Sequence, residues 1–192
     1  MAATSSTMLE LGTLAPSFDL PDPDGRRYRL ADFAAADALV VAFICNHCPF
    51  VKHLREALAA FGRECEARNV AMVAINSNNV ESHPADSPAH MREEIANFGY
   101  VFPYLYDESQ QTAKDYCAAC TPDFFLFDKS RRLYYRGQFD GSRPGNGEPV
   151  TGRDLRVAVD ALLAGDAPIA DQIPSIGCNI KWKPGNEPDY YG

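Results

Sequence analysis

Cys45 and Cys48 stand three positions apart in the stretch AFICNHCPFVKH (residues 42–53), where an unbroken apolar run gives way to a charged, periodic one. A Cys-x-x-Cys pair at such a boundary fits three kinds of chemistry: a redox disulfide, half of a zinc site, or two packed, inert thiols. A thiol reacts as its thiolate, and a free cysteine with a pKa near ~8.5 is mostly protonated at neutral pH. The start of a helix lowers that value, because unpaired N–H groups and the helix dipole stabilise negative charge there. On this reading Cys45 is the nucleophile. Cys48, one turn on and shielded, attacks the mixed disulfide formed at Cys45 and releases the partner. A positive imidazole on His47, between the two, would stabilise the Cys45 thiolate.

The elements that must hold such a pair are legible around it. ALVVAFI (38–44) is a continuous β-favouring run, as expected of a strand covered on both faces. From Pro49 onward Phe50, Leu54, Ala57, Leu58, Phe61 and Cys65 recur at helical spacing, and proline is well tolerated in a first helical turn. The pair therefore straddles a strand-to-helix turn. A strand at VAMVAIN (70–76), a polar loop SNNVESHPADS, a helix from Pro88 to Phe98 and a strand-like FPYLYD continue an alternating β-α-β-α-β order.

Upstream, PSFDLPDPDGRRYRL reads as a hairpin around Asp24-Gly25. Downstream, a short helix over 109–116 leads to Thr121-Pro122, then to strands at 123–128 and 133–139 joined by a polar turn, which is an antiparallel hairpin. Residues 153–163 form a last amphipathic helix. Beyond Gly165 there is no period, only Pro, Gly, Asn and Lys around Trp182. The expected architecture is one α/β domain over 1–192, with a core of about 14–164, a central mixed sheet flanked by helices, an N-terminal β-hairpin, and an irregular C-terminal extension over about 165–192, read as a lid packed over the domain.

The strand, the Cys45-Asn46-His47-Cys48-Pro49 turn, the helix, and Thr121-Pro122 entering a hairpin together resemble the thioredoxin superfamily. APSFDLPDPDGRRYRL is similar to the start of its peroxiredoxin and redoxin branch. CNHCPFVKH, AINSN, CTPDFFLFD, YRGQ, SRPGN and SIGCNIKWKPGNEP resemble a peroxiredoxin-like, AhpC/TSA-related group. The resemblance implies a thioredoxin-like fold, a cis-proline at Pro122 facing the active site, and thiol-disulfide oxidoreductase or antioxidant activity. Cys45 and Cys48 would be catalytic, with Asn46, His47, Thr121 and Pro122 supporting them. Asn46-His47 is similar to the spacer of oxidising disulfide exchangers. Peroxiredoxins carry Pro-x-x-x-Thr/Ser-x-x-Cys, whereas the corresponding positions before Cys48 are Val41 and Cys45, and before Cys45 are Ala38 and Ala42. Peroxide reduction is accordingly expected to be weak at best.

Four further thiols complete the set. Cys65 falls in an apolar helical stripe and reads as a small buried hydrophobe. Cys120, beside Thr121, Cys117 three residues earlier, and Cys178, near Lys181 and Lys183, are candidate additional redox thiols. His53, His83 and His90 read as surface residues. Cys117-Ala-Ala-Cys120 makes a second Cys-x-x-Cys, so a zinc- or copper-binding module built from four thiolates is the competing class. A redox-inert adaptor is a third. The expectation is no metal and no cofactor.

The formal charge of −8 opposes binding to nucleic acid and to anionic lipid. The N-terminus MAATSSTMLELG lacks a basic region and a long apolar stretch, and no apolar run approaches a membrane span, so neither nucleic acid nor membrane is an expected partner. Six cysteines are too few for a disulfide-stapled secreted scaffold, which points to a cytoplasmic protein. The expected partners are a protein or small-molecule disulfide or thiol and a separate reductant.

Overall fold

The computed structural model describes residues 3–190. Its centre is β4 (Ala38–Phe43), buried at every position. Strand alternation sends Ala38, Val40 and Ala42 to one face, and Leu39, Val41 and Phe43 to the other. Both sets are covered, which is why this run carries no polar residue.

Before it lie β1 (Ala3–Ser5), then β2 (Asp19–Pro21) and β3 (Arg27–Arg29), which pair as the expected hairpin. After it come α1 (Pro49–Ala67), β5 (Val70–Asn76), α2 (Pro88–Phe98), β6 (Tyr104–Tyr106), α3 (Gln111–Asp115), β7 (Cys120–Thr121), β8 (Asp123–Phe127), β9 (Leu133–Gly137), α4 (Arg153–Ala164) and β10 (Ile176–Asn179). The main sheet has the order β6-β5-β4-β8-β9, with β4 parallel to β5, β5 parallel to β6, and the two remaining pairings antiparallel. It is the mixed sheet the sequence predicts.

One face is packed by α1, α2 and α4 through Leu54, Leu58, Phe61, Met91, Leu155 and Val159. Fully burying a residue such as Leu58 contributes roughly 1.5–3 kcal/mol. The other face is covered by α3, the β2-β3 hairpin and the C-terminal segment, through Phe18, Leu20, Tyr116, Ile180 and Trp182. Among the described residues no helix is long and apolar enough to cross a membrane.

The C-terminal extension departs from the expected irregularity. Its residues 176–179 form β10, the middle strand of a second sheet with the order β1-β10-β7. β1 pairs with it antiparallel on one side, β7 on the other. Neither β1 nor β7 exceeds three residues, too short to show a period. The close approach of β10 to β7 requires a glycine: a Cβ at Gly177 would lie 2.0 Å from the Thr121 carbonyl oxygen.

Candidate active site

Three parts of the chain meet around the two thiols. Cys45 follows the end of β4, while Cys48 is the N-cap of α1, with extended backbone angles and Pro49 as the first helical residue. The third part is the Thr121-Pro122 segment, whose peptide bond is cis, as the resemblance implies. Thr121 touches both thiols: its hydroxyl lies 3.4 Å from Cys45 Sγ, and its carbonyl accepts from Cys48 Sγ at 3.1 Å. Both cysteines are buried.

The two thiols are shifted in opposite directions. Hydrogen bonds from the Cys178 and Cys45 thiols, with the backbone N–H of Val51, hold the Cys48 thiol down at about 2. Burial, the hydrogen bond to Cys48 and the negative charge of Asp86 push Cys45 well above an ordinary thiol. The Thr121 carbonyl favours the protonated form of Cys48 and opposes these donors. Of the two thiols, the lowering falls on Cys48 and the raising on Cys45. This direction is opposite to the one expected for Cys45, and the largest cause of the lowering at Cys48 is the hydrogen bond from Cys178; Cys48 is also the N-cap of α1, where a helix start favours negative charge.

His47 is tied down from outside the motif. Its Nδ1 lies 2.5 Å from Asp86 Oδ2 and 3.7 Å from Cys45 Sγ. Asp86 Oδ1 accepts the backbone N–H groups of both Asn46 and His47, at 2.8 and 3.0 Å. Asn78 Nδ2 donates to Asp86 Oδ2 at 2.8 Å, and Asn76 Nδ2 to the Asp86 carbonyl at 2.6 Å. Burial raises the Asp86 carboxyl, but the bonds from His47 and Asn78 outweigh it and leave it below the usual carboxylate range. Asn46 is held by Tyr104, whose hydroxyl donates to its Oδ1 at 3.0 Å, and it donates in turn to the Ala85 carbonyl at 2.9 Å.

Asp86 is the residue that sequence reasoning missed. It lies in a polar loop that reads as a connection, and its one signal is the Asn76, Asn78 and Asp86 spacing that lets the loop fold back on itself. His83, read as a surface residue, is half-buried with its ring 4.6 Å from that of His47. Burial first, then the neighbouring His47, lowers its pKa. His90 is exposed as expected, and His53 is half-buried.

The other thiols separate clearly. Cys178 joins the site: it lies opposite Thr121 across the β10-β7 pairing and hydrogen-bonds to Cys48. Cys120 precedes Thr121 on the same strand, so its side chain turns to the opposite face, where Sγ meets the Pro122 carbonyl at 3.5 Å. Cys117 sits half-buried at a turn with φ 50. Cys65 is buried within α1, and burial pushes its thiol up to about 12.

The four-thiolate alternative is not assembled. Among the described residues the one cluster of metal-ligand type atoms within 4.8 Å of one another is Cys45, His47 and Asp86. Two of its members are 2.5 Å apart. Those two, His47 and Asp86, are hydrogen-bonded to each other, and only one of the three ligand atoms is a thiol sulfur.

Residues 11–136 match the AhpC/TSA family. The thiol-disulfide oxidoreductase ResA of Geobacillus thermodenitrificans (strain NG80-2) is 26% identical over 136 residues, covering 68% of this chain and 70% of that protein. The crystal structure of a hypothetical protein from Sinorhizobium meliloti 1021 superposes with a TM-score of 0.93 at 54% identity, covering 95% of this chain and 100% of that one. A putative thiol:disulfide interchange protein, DsbE, from Chlorobium tepidum shares the fold at 21% identity, with a TM-score of 0.63 over 81% of this chain and 99% of that one.

Proposed function

The chain belongs to the AhpC/TSA family of thioredoxin-like redoxins, and from that premise we propose that it is a thiol-disulfide oxidoreductase whose working couple is Cys45 and Cys48. The observation that carries this reading is the single residue Thr121, ahead of the cis bond, meeting one thiol with its hydroxyl and the other with its carbonyl. Two thiols held against one residue are positioned to close on each other. The Cys45 and Cys48 sulfurs give two electrons to a partner disulfide, which takes one proton from Cys45 and one from solvent and leaves as two thiols, while Cys45 and Cys48 become a disulfide.

Stabilising a thiolate in the dithiol state favours that state and makes the disulfide easier to reduce. The geometry supports this at Cys48, where hydrogen bonds from Cys178, Cys45 and Val51 converge. Asn46, His47, Thr121 and Pro122 act as positioning residues, with Asp86 fixing the Asn46-His47 turn. A separate reductant or oxidant returns the pair to its starting state.

Catalysis of insulin disulfide reduction by dithiothreitol tests the reading. The wild-type protein is expected to accelerate it, and Cys45→Ser and Cys48→Ser to abolish the acceleration. An unaccelerated reaction, with both thiols shown to be intact, would sink the proposal in favour of a redox-inert adaptor.

A further inference from the structure

We propose that Cys178 is a third redox thiol of this site, which attacks Cys48 of the Cys45-Cys48 disulfide to form a Cys48-Cys178 bond and release Cys45. The inference rests on the reading of Cys45 and Cys48 as a redox couple and extends it to the C-terminal segment.

Placement carries the argument. Cys178 is the antiparallel partner of Thr121, and side chains directly opposite one another in such a pair lie on the same face. Thr121 is the residue that touches both Cys45 and Cys48. The register therefore delivers the Cys178 sulfur to the thiol pair, where all three cysteines share one buried cluster.

The segment is held there from both sides. Ala3 pairs with Cys178 across β1, and the main chain at Gly177 is packed so closely on Thr121 that no side chain fits between them. Further along, the Ile180 N–H donates to the Ala119 carbonyl at 3.1 Å. Asn78 accepts from the Lys181 N–H at 2.8 Å, and Gln110 donates to the Lys181 carbonyl at 2.9 Å. Cys178 is 2% exposed. A thiol so fixed loses little freedom when it reacts, and this raises its effective concentration at Cys48.

The order of contacts sets the direction of the step. Cys48 stands between the other two, with a hydrogen bond to each. In the dithiol state the hydrogen bond to Cys48 holds the Cys178 proton in place. Once Cys48 is in a disulfide that hydrogen bond is weakened, and the Cys178 sulfur faces the Cys48 end of the bond. As the new S–S bond forms, the old one breaks with its electron pair leaving on Cys45 Sγ, which takes up the proton that Cys178 gives up. The protein stays oxidised by the same two electrons, so no further oxidant or reductant enters. The freed thiol is Cys45, the one beside the His47 ring.

Oxidation of the full-length Cys45→Ser variant with glutathione disulfide, followed by acid quenching, alkylation and non-reducing peptide mapping, tests the step. Most molecules are expected to carry a Cys48-Cys178 crosslink, and the Cys45→Ser/Cys178→Ser double variant to carry none. Recovery of Cys48 as a stable glutathione adduct, with Cys178 freely alkylated, would overturn the proposal. Cys45→Ala, checked for native circular dichroism, repeats the measurement in case serine disturbs the buried site. Wild-type protein in parallel separates the two readings. A Cys45-Cys48 bridge and insulin reduction in the wild type, without the variant's crosslink, defeats the third thiol alone. Loss of both wild-type properties defeats the redox couple and this inference with it.

Discussion

The carboxylate of Asp86 lies 2.5 Å from His47 Nδ1 while its other oxygen accepts the N–H groups of Asn46 and His47. A residue from a loop 39 positions further along thus fixes both the backbone and the ring of the turn that separates the two thiols.

Replacing that carboxylate should loosen the turn. Asp86→Asn keeps the shape but loses the charge-assisted bonds, and is expected to cost about 1–3 kcal/mol. The folded Asp86 carboxyl lies below its unfolded value, so its contribution is present above the unfolded pKa of about 3.9 and fades as pH falls through the folded one. The stability gap between wild type and Asp86→Asn in urea should therefore be full at pH 7 and narrow below about pH 4. A gap that stays constant down to pH 2 would mean that the charge on Asp86 contributes nothing.

The location of the thiolate is open to direct measurement. Thiolate absorbance near 240 nm should persist well below neutral pH in the reduced wild type and in Cys45→Ser, and vanish from that range in Cys48→Ser. The grounds are the donors Cys178, Cys45 and Val51 around Cys48, and the burial of Cys45. The opposite pattern, an acidic thiolate lost with Cys45, would return the charge to the position the motif alone suggests.

The same stabilised charge bears on redox poise. Equilibration with glutathione should give a potential less negative than the ~−270 mV of thioredoxin, because a low thiol pKa favours the dithiol form. A value at or below that of thioredoxin would show that the donors around Cys48 act equally on both states.

Gly177 offers a way to disturb the C-terminal strand without touching a thiol. A methyl group there meets the Thr121 carbonyl oxygen at 2.0 Å and must push β10 away from β7. Gly177→Ala should cost about 1–3 kcal/mol and make Cys178 react faster with iodoacetamide than in the wild type. Unchanged stability together with unchanged Cys178 labelling would mean that the two strands have slack between them.

Much of the frame was legible because periodicity is local. The apolar run 38–44, the helical stripe after Pro49, the two hairpins and the final amphipathic helix all announce themselves in a few residues, and each is present. The tail was less legible. Four residues of β10, in a segment rich in Pro, Gly and Asn, have no pattern of their own, and become a strand only because β1 and β7 stand on either side.

For the site, residue type at short spacing was enough to place the strand-turn-helix around Cys45 and Cys48 and the proline that follows Thr121. Which carboxylate anchors His47 and which extra cysteine joins the pair follow from how the chain folds. Cys120 is next to Thr121 in the chain yet faces away, while Cys178 is 57 residues further on and faces in. Alternation along a strand turns neighbours apart and pairing between strands brings distant residues together, so proximity to a thiol is set by register, which the order of residues alone does not state.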